Sequence, residues 1–184
     1  MTIPTILTLL RIGLIPVFVL IFYLPYDWAR IASALVFSLA AITDWLDGYL
    51  ARRLGQASAF GAFLDPVADK LMVVVALVLL VQVNPTPWMA LPAAVIIGRE
   101  ITVSALREWM AEIGLSSQVA VNMLGKVKTT CQLTALIMLL FQYPLFGIPI
   151  EEIGFIFLYA AAILTLWSMV IYLQKAWPSL KKST

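Results

Sequence analysis

The stretch IASALVFSLAAITDWLDGYLARRLGQASAFGAFLDPVADKLMVVVALVLLVQV, residues 31–83, holds two long apolar runs joined by a short turn, with four aspartates gathered around that turn. Asp44 and Asp47 are three residues apart, and Asp65 and Asp69 are four apart. Either spacing puts both carboxylates on one face of a helix. The turn holds Arg52, Arg53, Gly55 and Ser58, and its shortness predicts two antiparallel neighbouring helices whose aspartates converge at one depth. An Asp at the centre of an apolar span costs about 2.5–3.5 kcal/mol on insertion scales, so an ionisable residue there points to function by default. As lone side chains these Asp would read as helix caps or as partners of Arg52, Arg53 and Lys70; four on matched faces read as a site.

The chain around this stretch is equally apolar. Its 184 residues are 62% hydrophobic and 12% charged, with a mean hydropathy of +0.99, one Cys and no His. Soluble domains are roughly half apolar and a quarter charged, so this chain has too little charge to cover a water-facing surface. Hydrophobic stretches at about 4–24, 28–50, 61–83, 88–108, 119–141 and 151–174 predict an all-α integral membrane protein with six transmembrane helices, forming a single domain over residues 1–184. A crossing takes about 20 residues, and no room is left for a soluble second domain. Breakers separate the stretches: Pro25-Tyr26-Asp27, Asn84-Pro85-Thr86-Pro87, and Tyr143-Pro144 through Pro149.

These three loops alternate with the other connections and so share one side. On this zigzag only Arg30 falls near the Pro-containing side, whereas Arg52, Arg53, Arg107, Lys126, Lys128, Lys175, Lys181 and Lys182 fall toward the other. The positive-inside rule then places both termini and the aspartates at the cytoplasmic side. The N-terminal run lacks the basic start and small-residue cleavage site of a signal peptide and reads as a retained first helix, interrupted by Arg11 and Pro16, with the segment before Arg11 along the interface. Scattered Lys and Arg form no basic stripe, which argues against a nucleic-acid partner.

With no imidazole and a single thiol, acid–base work and metal binding fall to Asp, Glu, Lys and Arg. Four carboxylates need cations to balance them, and an all-oxygen shell favours two hard divalent ions, Mg²⁺ or Mn²⁺. A metal pair of this kind suits in-line phosphoryl displacement. Gly48 and Ala51 remove bulk beside the Asp44/Asp47 face, Gly61 allows close helix packing, and Arg52 sets a guanidinium at phosphate height. Arg99, Arg107, Lys126 and Lys128 are further basic residues within or at the ends of apolar stretches. Arg99, with Glu100 about 100° round the helix, and Lys126, about two turns into the fifth helix, lie deeper than surface anchoring requires, whereas Arg107 and Lys128 read equally well as cytoplasmic anchors.

The pattern Asp44-x2-Asp47-Gly48-x2-Ala51-Arg52-x8-Gly61-x3-Asp65-x3-Asp69 resembles the complete signature of the CDP-alcohol phosphatidyltransferases. The resemblance extends through Pro4 to Arg11, Arg99-Glu100, Ser104 to Trp109, and Gly125 to Thr129, where it is similar to the bacterial branch that uses glycerol 3-phosphate. It implies an inner-membrane enzyme, active at the cytoplasmic face, that transfers a phosphatidyl group from CDP-diacylglycerol to sn-glycerol 3-phosphate and releases CMP. It assigns Asp44, Asp47, Asp65 and Asp69 to metal and Asp69 also to the acceptor proton. Gly48, Ala51, Arg52, Ser58 and Gly61 fall to the lipid nucleotide. Arg99, Arg107, Lys126 and Lys128 remain for the acceptor phosphate. Family members are often homodimers, although no dimer face is legible here. Two other readings stay open: the same chemistry on inositol phosphate or serine, and a small ion-coupled transporter. A transporter would carry its charges near the midplane on broken helices, not near one face.

Overall fold

The computed structural model describes residues 3–54, 59–113 and 123–180. They form six helices: α1 (Ile3–Phe22), α2 (Trp28–Leu54), α3 (Ala59–Val83), α4 (Pro87–Glu112), α5 (Met123–Phe141) and α6 (Ile150–Leu180). The breaks fall at the expected punctuation. Pro87 occupies the first turn of α4 behind an extended Thr86, where a missing N–H costs nothing. Between α5 and α6 the chain turns through Phe146 (φ 52°) and Gly147 (φ 79°), closed by mutual backbone hydrogen bonds of Leu145 and Ile148. Positive φ at both central residues is the geometry of a tight two-residue hairpin turn.

Helix bounds differ from the sequence expectation in instructive ways. α1 is one continuous helix through Arg11 and Pro16; it is not broken at Arg11, because that side chain finds partners inside the bundle. α2, α4 and α6 run on to Leu54, Glu112 and Leu180, since nothing in Ala51-Arg52-Arg53, Trp109-Met110-Ala111 or Lys175-Ala176-Trp177 breaks a helix once the chain leaves the apolar layer. The described part of α5 begins at Met123, which puts Lys126 and Lys128 in its first two turns.

Four helices, α1, α3, α4 and α6, are long and apolar enough to cross a membrane. α5 has a shorter apolar stretch, Val127–Phe141, and α2 has charges at both ends of its apolar stretch, Arg30 and Asp44. Burial is arranged as lipid demands. Leu20, Leu91, Ile101, Ile156 and Ile163 face outward, whereas Arg11, Arg99, Lys128, Gln132, Thr165 and Ser168 are buried. An apolar exterior around a polar interior is the pattern of a multi-pass membrane protein.

Among the described residues α1 packs on both α2 and α3, and these two touch each other only narrowly. The expected α2–α3 contact is present but narrow, and α1 packs more extensively on each of them. One side of the core is Phe18 of α1 on Phe37 of α2, with ring centres 6.1 Å apart. On the other, α5 lies against α6 at Gly154, where an added Cβ would sit 3.0 Å from Leu139 Cγ and 3.1 Å from Met138 Cβ. Glycine suits that approach, since any side chain would make Leu139 and Met138 shift. At the aspartate end a separate small core of Val103, Met110 and Tyr172 joins α4 to α6.

Candidate active site

Thr8 and Arg11 lie three residues apart on α1 and are both fully buried. Their shared face looks at α2 and α3. Arg11 Nη1 donates a hydrogen bond to Asp44 Oδ1 at 2.9 Å and another to Asp69 Oδ1. Thr8 Oγ1 donates to Asp65 Oδ1 at 2.5 Å. One turn of α1 thus touches three of the four expected carboxylates. A buried guanidinium is tolerated only with such partners, and the Asp44 and Asp69 side chains, each 43% exposed, keep access to solvent.

Asp44 and Asp69 share a single nitrogen, so one cation can be bonded to both at once. The donors are all oxygen, which suits a hard divalent ion. Among the described residues no three acidic side chains gather as a complete cage; Asp65 is turned onto Thr8. The side chains of Asp47, Ala51 and Arg52, on the last turns of α2 with Gly48, lie outside the described part, as does Ser58 altogether. Gly61 is buried in the first turn of α3.

Asp69 stands between two cavities. The smaller, about 80 Å³, is lined by Arg11, Asp44 and Asp69 over an apolar floor of Phe37, Met72 and Leu133. It shares Ala41 and Leu133 with an open apolar groove of about 310 Å³ between α2 and α5. The larger cavity, about 340 Å³, has Asp65 and Asp69 on one wall and Lys70, Arg99, Arg107 and Lys128 around the rest, with Glu100 among them. Its volume is that of a small-molecule site.

The cations of this cavity are held in place by a network of hydrogen bonds. Glu100 Oε1 accepts from Arg99 Nη1 at 2.8 Å and from Lys128 Nζ at 2.6 Å, although its helical position points about 100° away from Arg99; the length of both side chains closes that angle. Arg99 Nη2 also donates to Ser168 of α6 at 3.3 Å. Arg107 Nη2 donates to the Tyr172 hydroxyl at 3.0 Å, and the Tyr172 ring lies 5.3 Å from the Arg107 guanidinium carbon and 6.0 Å from that of Arg99, within cation–π range. Lys70 Nζ donates to Ser104 Oγ at 2.5 Å.

Of the four expected acceptor-binding residues, Arg99, Arg107 and Lys128 therefore meet at one cavity, and the side chain of Lys126 is outside the described part. Sequence reasoning missed Arg11, Lys70, Ser168 and Tyr172 as parts of this site. Arg11 carried a signal, a charge in an apolar run, but it was read as a helix break. Nothing local marked Ser168 or Tyr172.

The profile of the CDP-alcohol phosphatidyltransferases matches residues 1–167. The chain belongs to this family. Among its relatives is the CDP-diacylglycerol–glycerol-3-phosphate 3-phosphatidyltransferase of Pseudomonas fluorescens, 58% identical over 98% of this chain and 93% of that one. Proteins of the same description from Pectobacterium atrosepticum and Salmonella paratyphi A are 59% and 56% identical, each over 95% of this chain and 94% of the relative. Asp69 is common to both cavities. Membership also removes the transporter reading.

Proposed function

We propose that this phosphatidyltransferase takes CDP-diacylglycerol as donor and sn-glycerol 3-phosphate as acceptor, giving phosphatidylglycerophosphate and CMP. The observation that carries the reading is the position of Asp69 in the wall shared by a largely apolar cavity, where it meets Arg11 and Asp44, and a cavity rich in cations. The near-full-length likeness to relatives described as acting on glycerol 3-phosphate supports the choice of acceptor.

In this account the lipid nucleotide lies along α2, with Gly48, Ala51, Arg52, Ser58 and Gly61 around its head group and its acyl chains toward the apolar groove. Asp44, Asp47, Asp65 and Asp69 would hold two divalent cations, Mg²⁺ or Mn²⁺, whose charge would balance the carboxylates and the diphosphate. The acceptor phosphate binds among Arg99, Arg107, Lys126 and Lys128, with Glu100 and Tyr172 fixing the geometry of the cations. Asp69 takes the proton from the acceptor's primary hydroxyl. The new O–P bond forms at the phosphorus that bears diacylglycerol, the P–O bond to CMP breaks, and CMP leaves with that electron pair. Water is a competing nucleophile, and the apolar walls from Phe37, Met72 and Val73 limit it.

All six helices cross the inner membrane in this account, with both termini and the site on the cytoplasmic side, where both CMP and a soluble phosphate ester are handled. Incubating purified protein with CDP-diacylglycerol and, separately, radiolabelled glycerol 3-phosphate, inositol phosphate and serine tests the acceptor. Label should enter lipid from glycerol 3-phosphate; preferential labelling from either of the others would replace that acceptor and keep the family chemistry.

A further inference from the structure

Glu100 lines the larger cavity together with the cations of α4 and α5. A single oxygen, Oε1, accepts from Arg99 Nη1 at 2.8 Å and from Lys128 Nζ at 2.6 Å. The three side chains are graded in exposure: 3% for Lys128, 9% for Arg99 and 19% for Glu100. The carboxylate is thus the more open member of both pairs, and it covers two cations that are nearly shut off from solvent. Arg99 has further support from Ser168 at 3.3 Å and from the Tyr172 ring. Among the described residues Lys128 Nζ is bonded to Glu100 alone.

A negatively charged oxygen therefore stands where a phosphate held by the same two nitrogens would place one of its own. An acceptor phosphate reaches Arg99 and Lys128 by displacing Glu100 or by sharing them with it, and like charges at that distance repel. Taken alone, this weakens the site. The chemistry of the transfer gives it a use. The reaction consumes a hydroxyl of glycerol 3-phosphate and leaves the phosphate monoester intact, so the product still carries the group that the cations hold and has gained acyl chains besides. A cavity with nothing to replace that phosphate would retain its product. A tethered carboxylate restores two charge-assisted hydrogen bonds as the phosphate withdraws, and the buried cations are never left without a counter-charge.

We infer that Glu100 is an internal counter-anion, which holds the place of the acceptor phosphate on Arg99 and Lys128, gives way when that phosphate binds and returns as the phosphorylated lipid leaves. The inference rests on the cavity being the acceptor site. It explains why a cavity that gathers cations for an anionic substrate also carries a carboxylate bonded to two of them.

The test is Glu100→Gln, which keeps the length of the side chain and an acceptor oxygen for both cations and removes the charge. The KM for sn-glycerol 3-phosphate should fall about tenfold, the scale of one charge-assisted hydrogen bond, and added phosphatidylglycerophosphate should inhibit at about tenfold lower concentration. The KM for CDP-diacylglycerol should stay near wild type. Thermal unfolding in detergent gives a readout that a purely structural role would not move. Without substrate the variant should unfold below wild type, because Lys128 has lost its carboxylate, and glycerol 3-phosphate should raise its midpoint more than that of wild type. Glu100→Asp, whose carboxylate stops one methylene short, should shift both kinetic constants in the same direction by less, and it carries the test if the Gln variant does not fold. An unchanged or raised KM for glycerol 3-phosphate in the folded variants, or equal stabilisation of variant and wild type by that substrate, would overturn the inference. If wild-type protein transferred to another alcohol and not to glycerol 3-phosphate, the acceptor reading would fall and this inference with it, a result distinct from an unchanged KM.

Discussion

Arg11 of α1 reaches Asp44 of α2 across 2.9 Å, and the same nitrogen bonds Asp69 of α3. One side chain thus ties together three helices at the place where the carboxylates need positive charge. If these carboxylates hold divalent cations as proposed, Arg11 and the cations would be alternative sources of that charge, and the stability of the bundle would depend on both.

Replacing Arg11 with Gln should destabilise the protein by about 2 kcal/mol, less than the about 3–5 kcal/mol of a fully buried pair because the carboxylates remain partly solvated. The loss should be larger in chelator than in excess Mg²⁺, whereas wild-type protein should respond less. Thermal unfolding in detergent, with and without EDTA, reads both; the same metal dependence in the two proteins would contradict the shared role.

Activity should vanish on chelation and return with Mg²⁺ or Mn²⁺. Carboxylates at this end of the described bundle, Asp44, Asp65, Asp69 and Glu100, offer hard oxygen donors, and carboxylates alone are weak bases for an alcohol. Full turnover in excess EDTA would remove the metal assignment.

Arg107→Ala should raise the KM for glycerol 3-phosphate about tenfold, the scale of one charge-assisted hydrogen bond, and change the KM for CDP-diacylglycerol much less. Arg107 is exposed and bonds Tyr172 at the cavity rim, so its removal should leave folding intact. A larger effect on the lipid substrate would place Arg107 on the donor side.

Gly154→Leu should destabilise the α5–α6 contact by about 1–3 kcal/mol, the usual penalty for overpacking, because Leu139 and Met138 already stand within 3.0–3.1 Å of the first added carbon. Unfolding measurements should show the loss while the KM values of the folded fraction stay near wild type. Unaltered stability would mean that the two helices do not rely on this approach.

How far the molecule can be read from its residues follows from the distances involved. Helices and their breaks were legible because Pro25, Pro85, Pro87, Pro144 and Pro149 act locally, and the aspartate faces were legible because helical spacing is local too. Arg11 was misread because its partners are 33 and 58 residues away, and a charge without a visible partner looks like an interruption. The short turn after α2 implied an α2–α3 pair with converging aspartates, and Asp44 and Asp69 do meet at Arg11; that α1 packs more extensively on both helices was not legible, because a turn says nothing of a third helix. Ser168 and Tyr172 were invisible for the same reason as Arg11, since they act on Arg99 and Arg107 from 69 and 65 residues away.

Asp69 is proposed to take the acceptor proton at the junction of the two cavities. The most direct test of that role is transfer of label from radiolabelled sn-glycerol 3-phosphate into lipid, with CMP counted alongside, by wild-type protein and by Asp69→Asn at saturating Mg²⁺. The wild-type protein should release one CMP per lipid formed, and the variant, still folded, should be slower by at least about 10²–10⁴-fold, the usual worth of a positioned base. Wild-type turnover in Asp69→Asn would contradict a base role for Asp69.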